Sequence, residues 1–331
     1  RFVQATQGEL DGSGIASFSD RARDALRGGG CCDSGIDLIA NQGLLNGLHY
    51  AANAHGRGSR AELLHAADLA RAGLAGTLRD YRMQFADGRI ATLDQLDYKG
   101  QPAGYARQPG EVVNYVENHD NPTLWDIHAL KLPQGTTSEE RARVQLLGAA
   151  FVAFSQGVTY FHAGMDLLRS KSLDRNSFDS GDWFNRLDWS GIDNGFGAGL
   201  PPQRDNGKDW ALLRPVLRNA NARPSPADIA WMRDAFRDLL RIRASTPLFR
   251  LASADDIAQR LAFRNTGPAQ NPLVIVGRLD GAGMAGPYRE VLYLLNVSPE
   301  AQALTMPEEI GKAYVLHPVQ SSASAADARA R

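Results

Sequence analysis

The sequence predicts an α/β fold, a βα repeat followed by a small antiparallel β-domain, and three observations carry this. Residues 112–116 form an apolar run rich in β-branched side chains. It stops at Asn118-His119-Asp120-Asn121 and Pro122, as a buried strand stops at its carboxyl end. Residues 139–154 then carry apolar side chains at helical spacing, and a second apolar run, 158–161, follows. Strand, polar loop, helix, strand is the unit of a (β/α) barrel. From Leu248 onward the pattern changes to short β runs separated by Gly, Pro and Asn.

The elements follow in order. Residues 1–30 are polar and Gly-rich, with one amphipathic segment over 18–26 that Gly28-Gly29-Gly30 closes. Residues 35–50 hold a turn signal and a short apolar segment. Ser59, with Glu62 three residues on, caps a helix over 59–75, where Leu63, Leu64, Ala67 and Leu74 recur at helical spacing. Residues 76–111 read as irregular. Thr137-Ser138-Glu139-Glu140 opens the long helix, with Val144, Leu147, Ala150, Phe151 and Phe154 on one face, and Gly157 ends it. Residues 163–210 are a long polar loop, and Phe178, Trp183, Phe184 and Trp189 within it argue against disorder. Residues 226–244 are amphipathic through Ile229, Met232, Phe236, Leu239, Leu240 and Ile242, and Thr246-Pro247 breaks that helix. Strands are expected at 261–264, 273–276 and 291–297, and the Ala- and Ser-rich tail 321–331 is expected to fray. The pattern divides the chain into 1–247 and 248–331.

Composition bounds the function. The chain has 331 residues, a formal net charge of −1 and 43% hydrophobic residues, a soluble globular balance long enough for one large domain and a small one. Near-neutral charge gives no basis for a nucleic-acid or anionic-membrane partner. The basic run 21–27 alternates with Asp20 and Asp24 and reads as a solvated helix face. No run of eighteen apolar residues occurs, so no transmembrane helix is expected. Cys31 and Cys32 are neighbours. A disulfide between them would be strained and two thiols cannot form a structural zinc site, so a reduced pair is expected. The chain opens Arg1-Phe2-Val3-Gln4 without an initiator Met or signal peptide, as if cut from something longer.

Asp120 is the strongest catalytic candidate, because it is a carboxylate at the carboxyl end of a buried strand, where parallel sheets place their chemistry. His119 beside it adds an imidazole at the same point. From these residues alone a second reading stands, in which Asp120 or Asn121 caps the turn that begins at Pro122. Longer motifs add to this. Val112-Val113-Asn114-Tyr115-Val116-Glu117-Asn118-His119-Asp120-Asn121-Pro122 and the following Thr123-Leu124-Trp125-Asp126 resemble the seventh-strand motif of pullulanases, the starch-debranching members of the α-amylase superfamily. Residues 168–189, with Ser170-Lys171-Ser172, Arg175-Asn176-Ser177 and Ser180-Gly181-Asp182-Trp183-Phe184-Asn185-Arg186, are similar to the loop after the eighth strand of pullulanases and limit dextrinases. Tyr160-Phe161-His162-Ala163-Gly164 looks like that eighth strand. Gly14-Ile15-Ala16-Ser17-Phe18-Ser19-Asp20-Arg21 resembles the sixth-strand region, and residues 1–7 match what lies just after the fifth.

The resemblance runs from residue 1 to about residue 300. It implies a partial (β/α)8 TIM barrel, sixth to eighth strands, over 1–247, followed by an antiparallel β-sandwich domain over 248–331. It also implies retaining hydrolysis of α-1,6 branch linkages in pullulan, amylopectin or limit dextrins. In that family an aspartate on the fourth strand is the nucleophile and a glutamate on the fifth is the acid/base. The seventh-strand aspartate, here Asp120, stabilises the transition state. His119, Asn121 and Trp125 would shape the subsite for the cleaved sugar, and Arg175 and Asn176 would bind further glucose units. For Trp183, Phe184 and Trp189, anchoring the loop and stacking on sugar both stay open.

The family's Arg-x-Asp preceded by Gly-Phe, and its Gly-Glu-Gly-Trp, occur nowhere in the sequence. Glu9 and Asp11 lie in a loop, and Glu117 alternates away from Asp120. Retaining chemistry needs its two acids about 5 Å apart, so the chain alone is expected to be inactive. No cofactor and no metal are expected. The expected partners are an α-glucan and the missing amino-terminal part of the barrel, because three strands leave open edges and an apolar face. The competing reading is a non-catalytic carbohydrate-binding or scaffold protein derived from a debranching enzyme.

Overall fold

The structure, a computed structural model, describes residues 6–330, so the resemblance over residues 1–5 lies outside the described residues. The chain begins with β1 (Ser17–Ser19), α1 (Asp20–Arg27), α2 (Asp37–Ala40) and α3 (Arg60–Leu74). Two hairpins follow, β2 (Arg82–Gln84) with β3 (Ile90–Thr92) and β4 (Asp97–Tyr98) with β5 (Gln101–Pro102). Then come β6 (Val112–Asn114), α4 (Leu124–Lys131), α5 (Ser138–Phe154) and β7 (Val158–Thr159). The polar stretch after β7 holds α6 (Asp182–Asn185), α7 (Gln203–Asn206) and α8 (Trp210–Leu217). Last are α9 (Pro226–Ala244), α10 (Ala254–Arg260), β8 (Leu261–Arg264), β9 (Val274–Asp280), β10 (Glu290–Asn296) and α11 (Pro318–Ser321).

Strands β1, β6 and β7 form a parallel sheet in that order, with Ser17 opposite Val112 and Val113 opposite Val158. Parallel neighbours need a crossover, supplied by α1 to α3 for the first pair and by α4 and α5 for the second. The expected helices form where their caps direct. Ser59–Glu62, Thr137–Glu140 and Ser225–Asp228 are capping boxes at the starts of α3, α5 and α9. Helix α1 ends at Gly28, whose φ is 76°. A Cβ there would lie 2.2 Å from the Asn41 carbonyl oxygen, so only glycine fits. The second sheet is antiparallel, in the order β10-β9-β8. It is one three-stranded sheet, and β9 extends four residues beyond the expected 273–276 because it pairs along its length with β10.

Three expectations need correction. Residues 76–111 are not irregular throughout but fold into the two hairpins, whose strands are too short to show alternation. The 21–27 face is buried rather than solvated. Arg21 and Arg27 are almost fully covered, Arg23 pairs with Asp24 at 2.6 Å, and Arg21 lies over the Tyr98 and Tyr105 rings. The β4–β5 hairpin folds over this helix face, with Arg21 donating to Pro102 O, which charge alternation could not reveal. The tail is held rather than loose at Asp327, which meets Arg143 at 2.7 Å, while the Ala326 N–H donates to Asp238.

One apolar core joins both sheets. Arg71 of α3, fully buried, crosses toward the antiparallel sheet. It meets Asp68 at 3.1 Å and donates to Gln270 and to the Asn265 carbonyl, both at 2.8 Å. On the parallel sheet Phe18, Tyr115 and Tyr160 meet edge-on, and Phe18 and Val158 remain exposed. No helix among the described residues is long and apolar enough to cross a membrane.

Candidate active site

The loop between β6 and α4 is shaped by its own polar side chains. Asn118 Oδ1 accepts the Asp120 N–H at 2.9 Å, and Asn121 takes a left-handed φ of 63°, a conformation asparagine tolerates. The cap of α4 is Thr123, which accepts the Asp126 N–H, and Glu117 accepts the Leu124 N–H. Neither Asp120 nor Asn121 caps the helix. Their side chains are left for other work, and Asp120 is 66% exposed beside His119 at 3.5 Å.

Two buried cations grip this loop through its carbonyls. Arg27 of α1 donates to Val116 O at 3.2 Å and to Pro122 O at 3.0 Å. Burial, then repulsion from Arg23, pushes its pKa down to about 10, which leaves it charged at neutral pH. Lys171, 1% exposed, donates from Nζ to His119 O at 2.8 Å. Burial lowers its pKa, and Asp126 and Asp174 oppose the shift. Asp126, on α4 and fully buried, accepts the Ser170 hydroxyl and the Lys171 N–H. Burial raises its pKa and these bonds oppose it. The loop after β7 and the loop after β6 are thereby locked together.

Beyond Lys171 the chain passes through left-handed Ser172 and Leu173 and turns at Asp174, which accepts the Asn176 N–H and Asn206 Nδ2, both at 3.0 Å. The Arg175 guanidinium donates to Cys31 O at 3.3 Å, and Asn176 Nδ2 donates to Asp205 at 3.2 Å. Asp120, Asn121, Arg175 and Asn176 line one open cavity of about 610 Å³. Four expected residues from two distant stretches thus converge, and His119 stands at the rim beside Asp120.

Trp125 is not brought to this cavity. It is fully buried, with its indole N–H donating to Ala222 O at 3.1 Å. As the second residue of α4 it points into the core, and its assignment as a sugar contact is withdrawn. Trp183 and Trp189 are 58% and 73% exposed, the Trp183 indole N–H ties its loop to Ala198 O at 3.2 Å, and Phe184 is half-buried. Three cavity residues escaped the sequence reading: Arg204, Asp205 and Lys208. They lie on and just after α7, and the Arg204-Asp205-Asn206-Gly207-Lys208 cluster between prolines and Trp210 was the available signal.

The other carboxylates considered are occupied or distant. Glu117 is buried at 3.4 Å from His162 Nδ1, and Asp11 is held by Arg79 and Arg107. Glu9 is not among the residues that line the cavity. Asp205 shares the cavity wall but is paired with Arg204 at 3.1 Å. A free carboxylate, amides and a guanidinium around an open polar cavity suit a polyhydroxylated ligand.

Comparison with known proteins points to one family. Residues 191–331 match the family described as alpha-1,6-glucosidases, pullulanase-type, C-terminal. The chain is 40% identical to chloroplastic pullulanase 1 of Arabidopsis thaliana over 97% of its length and 34% of the relative's. It is 39% identical to the pullulanase of Klebsiella pneumoniae over 98% of its length and 30% of the relative's. The apo crystal structure of the K. pneumoniae enzyme superposes with a TM-score of 0.87 at 39% identity, covering 91% of this chain and 33% of that one. Nearly the whole chain is similar to pullulanases, and residues 191–331 match their C-terminal family. The chain spans about a third of the length of these relatives. A K. pneumoniae pullulanase structure complexed with maltotriose superposes equally well, with a TM-score of 0.87, 39% identity, and coverage of 91% of this chain and 29% of that one. The pullulanase match spans both the polar loops and the antiparallel sheet.

Proposed function

We propose that this chain is the carboxyl-terminal part of a pullulanase-type α-1,6-glucosidase that debranches pullulan, amylopectin or limit dextrins with retention. In this reading β1, β6 and β7 are the sixth to eighth strands of a (β/α)8 barrel over 1–247, and 248–331 is a small β-domain whose described residues form one three-stranded antiparallel sheet rather than the two sheets of a sandwich. The exposed Phe18 ring, which meets Tyr115 and Tyr160 edge-on, faces the upstream strands in this reading.

The observation that carries the proposal is the convergence of Asp120 with Arg175 and Asn176 on one cavity. Asp120 stabilises the oxocarbenium-like transition state, His119 and Asn121 hold the sugar at the cleaved bond, and Arg175 and Asn176 hold the next glucose units. The nucleophile and acid/base belong to upstream strands, so residues 1–331 alone bind glucan without cleaving it.

Two measurements test this. Titration calorimetry of the chain with maltotriose should show binding that Arg175→Ala weakens at least tenfold, and pullulan should stay intact. Turnover of pullulan by the isolated chain as a monomer would refute the division of labour. In a longer chain that includes the upstream strands, Asp120→Asn should lower kcat by a hundredfold or more with little change in KM. Equal losses in both would remove Asp120 from its role. A second reading, a non-catalytic glucan-binding protein, draws on the exposed Trp183 and Trp189 faces. It predicts that the longer chain binds maltotriose and never turns pullulan over.

A further inference from the structure

Cys31 and Cys32 play no part in the proposed sugar chemistry. Both are exposed free thiols, with their sulfurs 2.7 Å apart. They follow Gly28 and Gly29, whose φ values are 76° and 73°. Their segment also touches the candidate site, because the Arg175 guanidinium donates to the Cys31 carbonyl at 3.3 Å and to the Asp33 carbonyl at 3.5 Å.

We propose that Cys31-Cys32 is a modification site, a vicinal dithiol that hydroperoxides close to a ring disulfide, and that closure releases Arg175 from the Cys31 carbonyl. One thiol loses its proton and the thiolate attacks a peroxide oxygen, breaking the O–O bond to give a sulfenic acid and hydroxide, which takes up that proton as water. The second thiol displaces the hydroxyl, forming the S–S bond and releasing a second water. Two thiols are oxidised and one hydrogen peroxide is reduced to two waters.

The geometry links this chemistry to the site. The ring closed by the new bond contains the Cys31–Cys32 peptide, so the Cys31 carbonyl belongs to the ring itself. Consecutive Cα atoms across a trans peptide are about 3.8 Å apart, whereas disulfides ordinarily span about 4.4–6.8 Å. Closure must therefore turn that peptide and re-aim the oxygen that Arg175 binds. The same strain makes the bond easy to reduce, which is the property of a reversible modification.

The test uses the full chain, reduced and then treated with stoichiometric hydrogen peroxide. Intact mass under non-reducing conditions should fall by about 2 Da in the monomer, localise to the peptide holding both cysteines and return with dithiothreitol. Phenylarsine oxide, which bridges paired thiols, should block the loss. Phenylglyoxal labelling of Arg175, read by peptide mass, should quicken at least threefold in the oxidised protein. Cys32→Ser should show neither the mass loss nor the faster labelling, and in the reduced state should label like the parent. Intermolecular dimers or sulfinic acid as the sole products would overturn the ring. A ring that leaves Arg175 labelling unchanged would overturn the link to the site.

Discussion

Lys171→Met isolates what a buried cation does for the Asp120 loop. Methionine keeps most of the apolar stem and removes the ammonium. Lys171 is 1% exposed and donates at 2.8 Å to the His119 carbonyl, one residue before Asp120. A hydrogen bond from a charged group contributes about 1.5–3 kcal/mol. Losing it also leaves buried Asp126 with one cation fewer, although Ser170 and the residue 171 N–H still satisfy its oxygens. Global stability should fall by about 1–3 kcal/mol. The local effect is more diagnostic. If the lost bond is worth about 2 kcal/mol, opening of the loop becomes about thirtyfold easier. Hydrogen exchange followed by mass spectrometry should therefore quicken by that order in the peptide covering 117–123. Peptides from α5 and β9 should change only with global stability. Lys171→Arg, which retains the charge, should recover part of the protection. A uniform rise across all peptides, or no rise in 117–123, would show that Lys171 does not hold the loop.

Arg71→Met should cost about 3–5 kcal/mol in urea unfolding, because it leaves Asp68 buried and uncompensated, and a loss under 1 kcal/mol would refute its role in joining α3 to the 265–270 segment. Trp125→Ala should cost about 3–5 kcal/mol, and Trp125→Phe should leave maltotriose affinity within twofold, since the ring lies in the core. Glu290 and Glu309 give a pH prediction. Bonds from Arg278, against burial, and then from Tyr314 and Lys312 hold Glu290 down to about 2. For Glu309 burial acts upward, and Lys312, Tyr314 and Arg264 outweigh it, again to about 2. Both bind protons more weakly folded than unfolded, so their stabilisation is present above the ordinary value of 4.5 and lost as pH falls toward 2. The Tm gap between the parent and the Glu290→Gln/Glu309→Gln variant should be constant above about pH 5 and close between about 4.5 and 2; a gap independent of pH would contradict this.

Elements with strong local signals were legible. The capping boxes at Ser59, Thr137 and Ser225 place three helices within a residue of where spacing puts them, because a cap and an apolar stripe are encoded within one turn. The short hairpins of 76–111 were not, since their pairings depend on neighbours across a turn. Site residues in marked stretches, such as Asp120 and Arg175, could be named from sequence. Trp125 was misassigned because helical phase decides whether a ring faces the ligand or the core, and Arg204, Asp205 and Lys208 were missed because only folding brings α7 to that wall.

By itself the sequence determined the βα repeat, the change to β runs after Leu248, and the polar cluster at the tip of β6, all of which are local patterns of apolar and turn-forming residues. Only the tertiary structure decided that Arg27 and Lys171 hold that tip by its carbonyls, that the 21–27 charges are buried, and that the Cys31 carbonyl meets Arg175. These contacts join residues far apart in the chain through backbone oxygens, and every residue carries the same carbonyl. Side-chain order encodes no partner for such a group until the chain is folded.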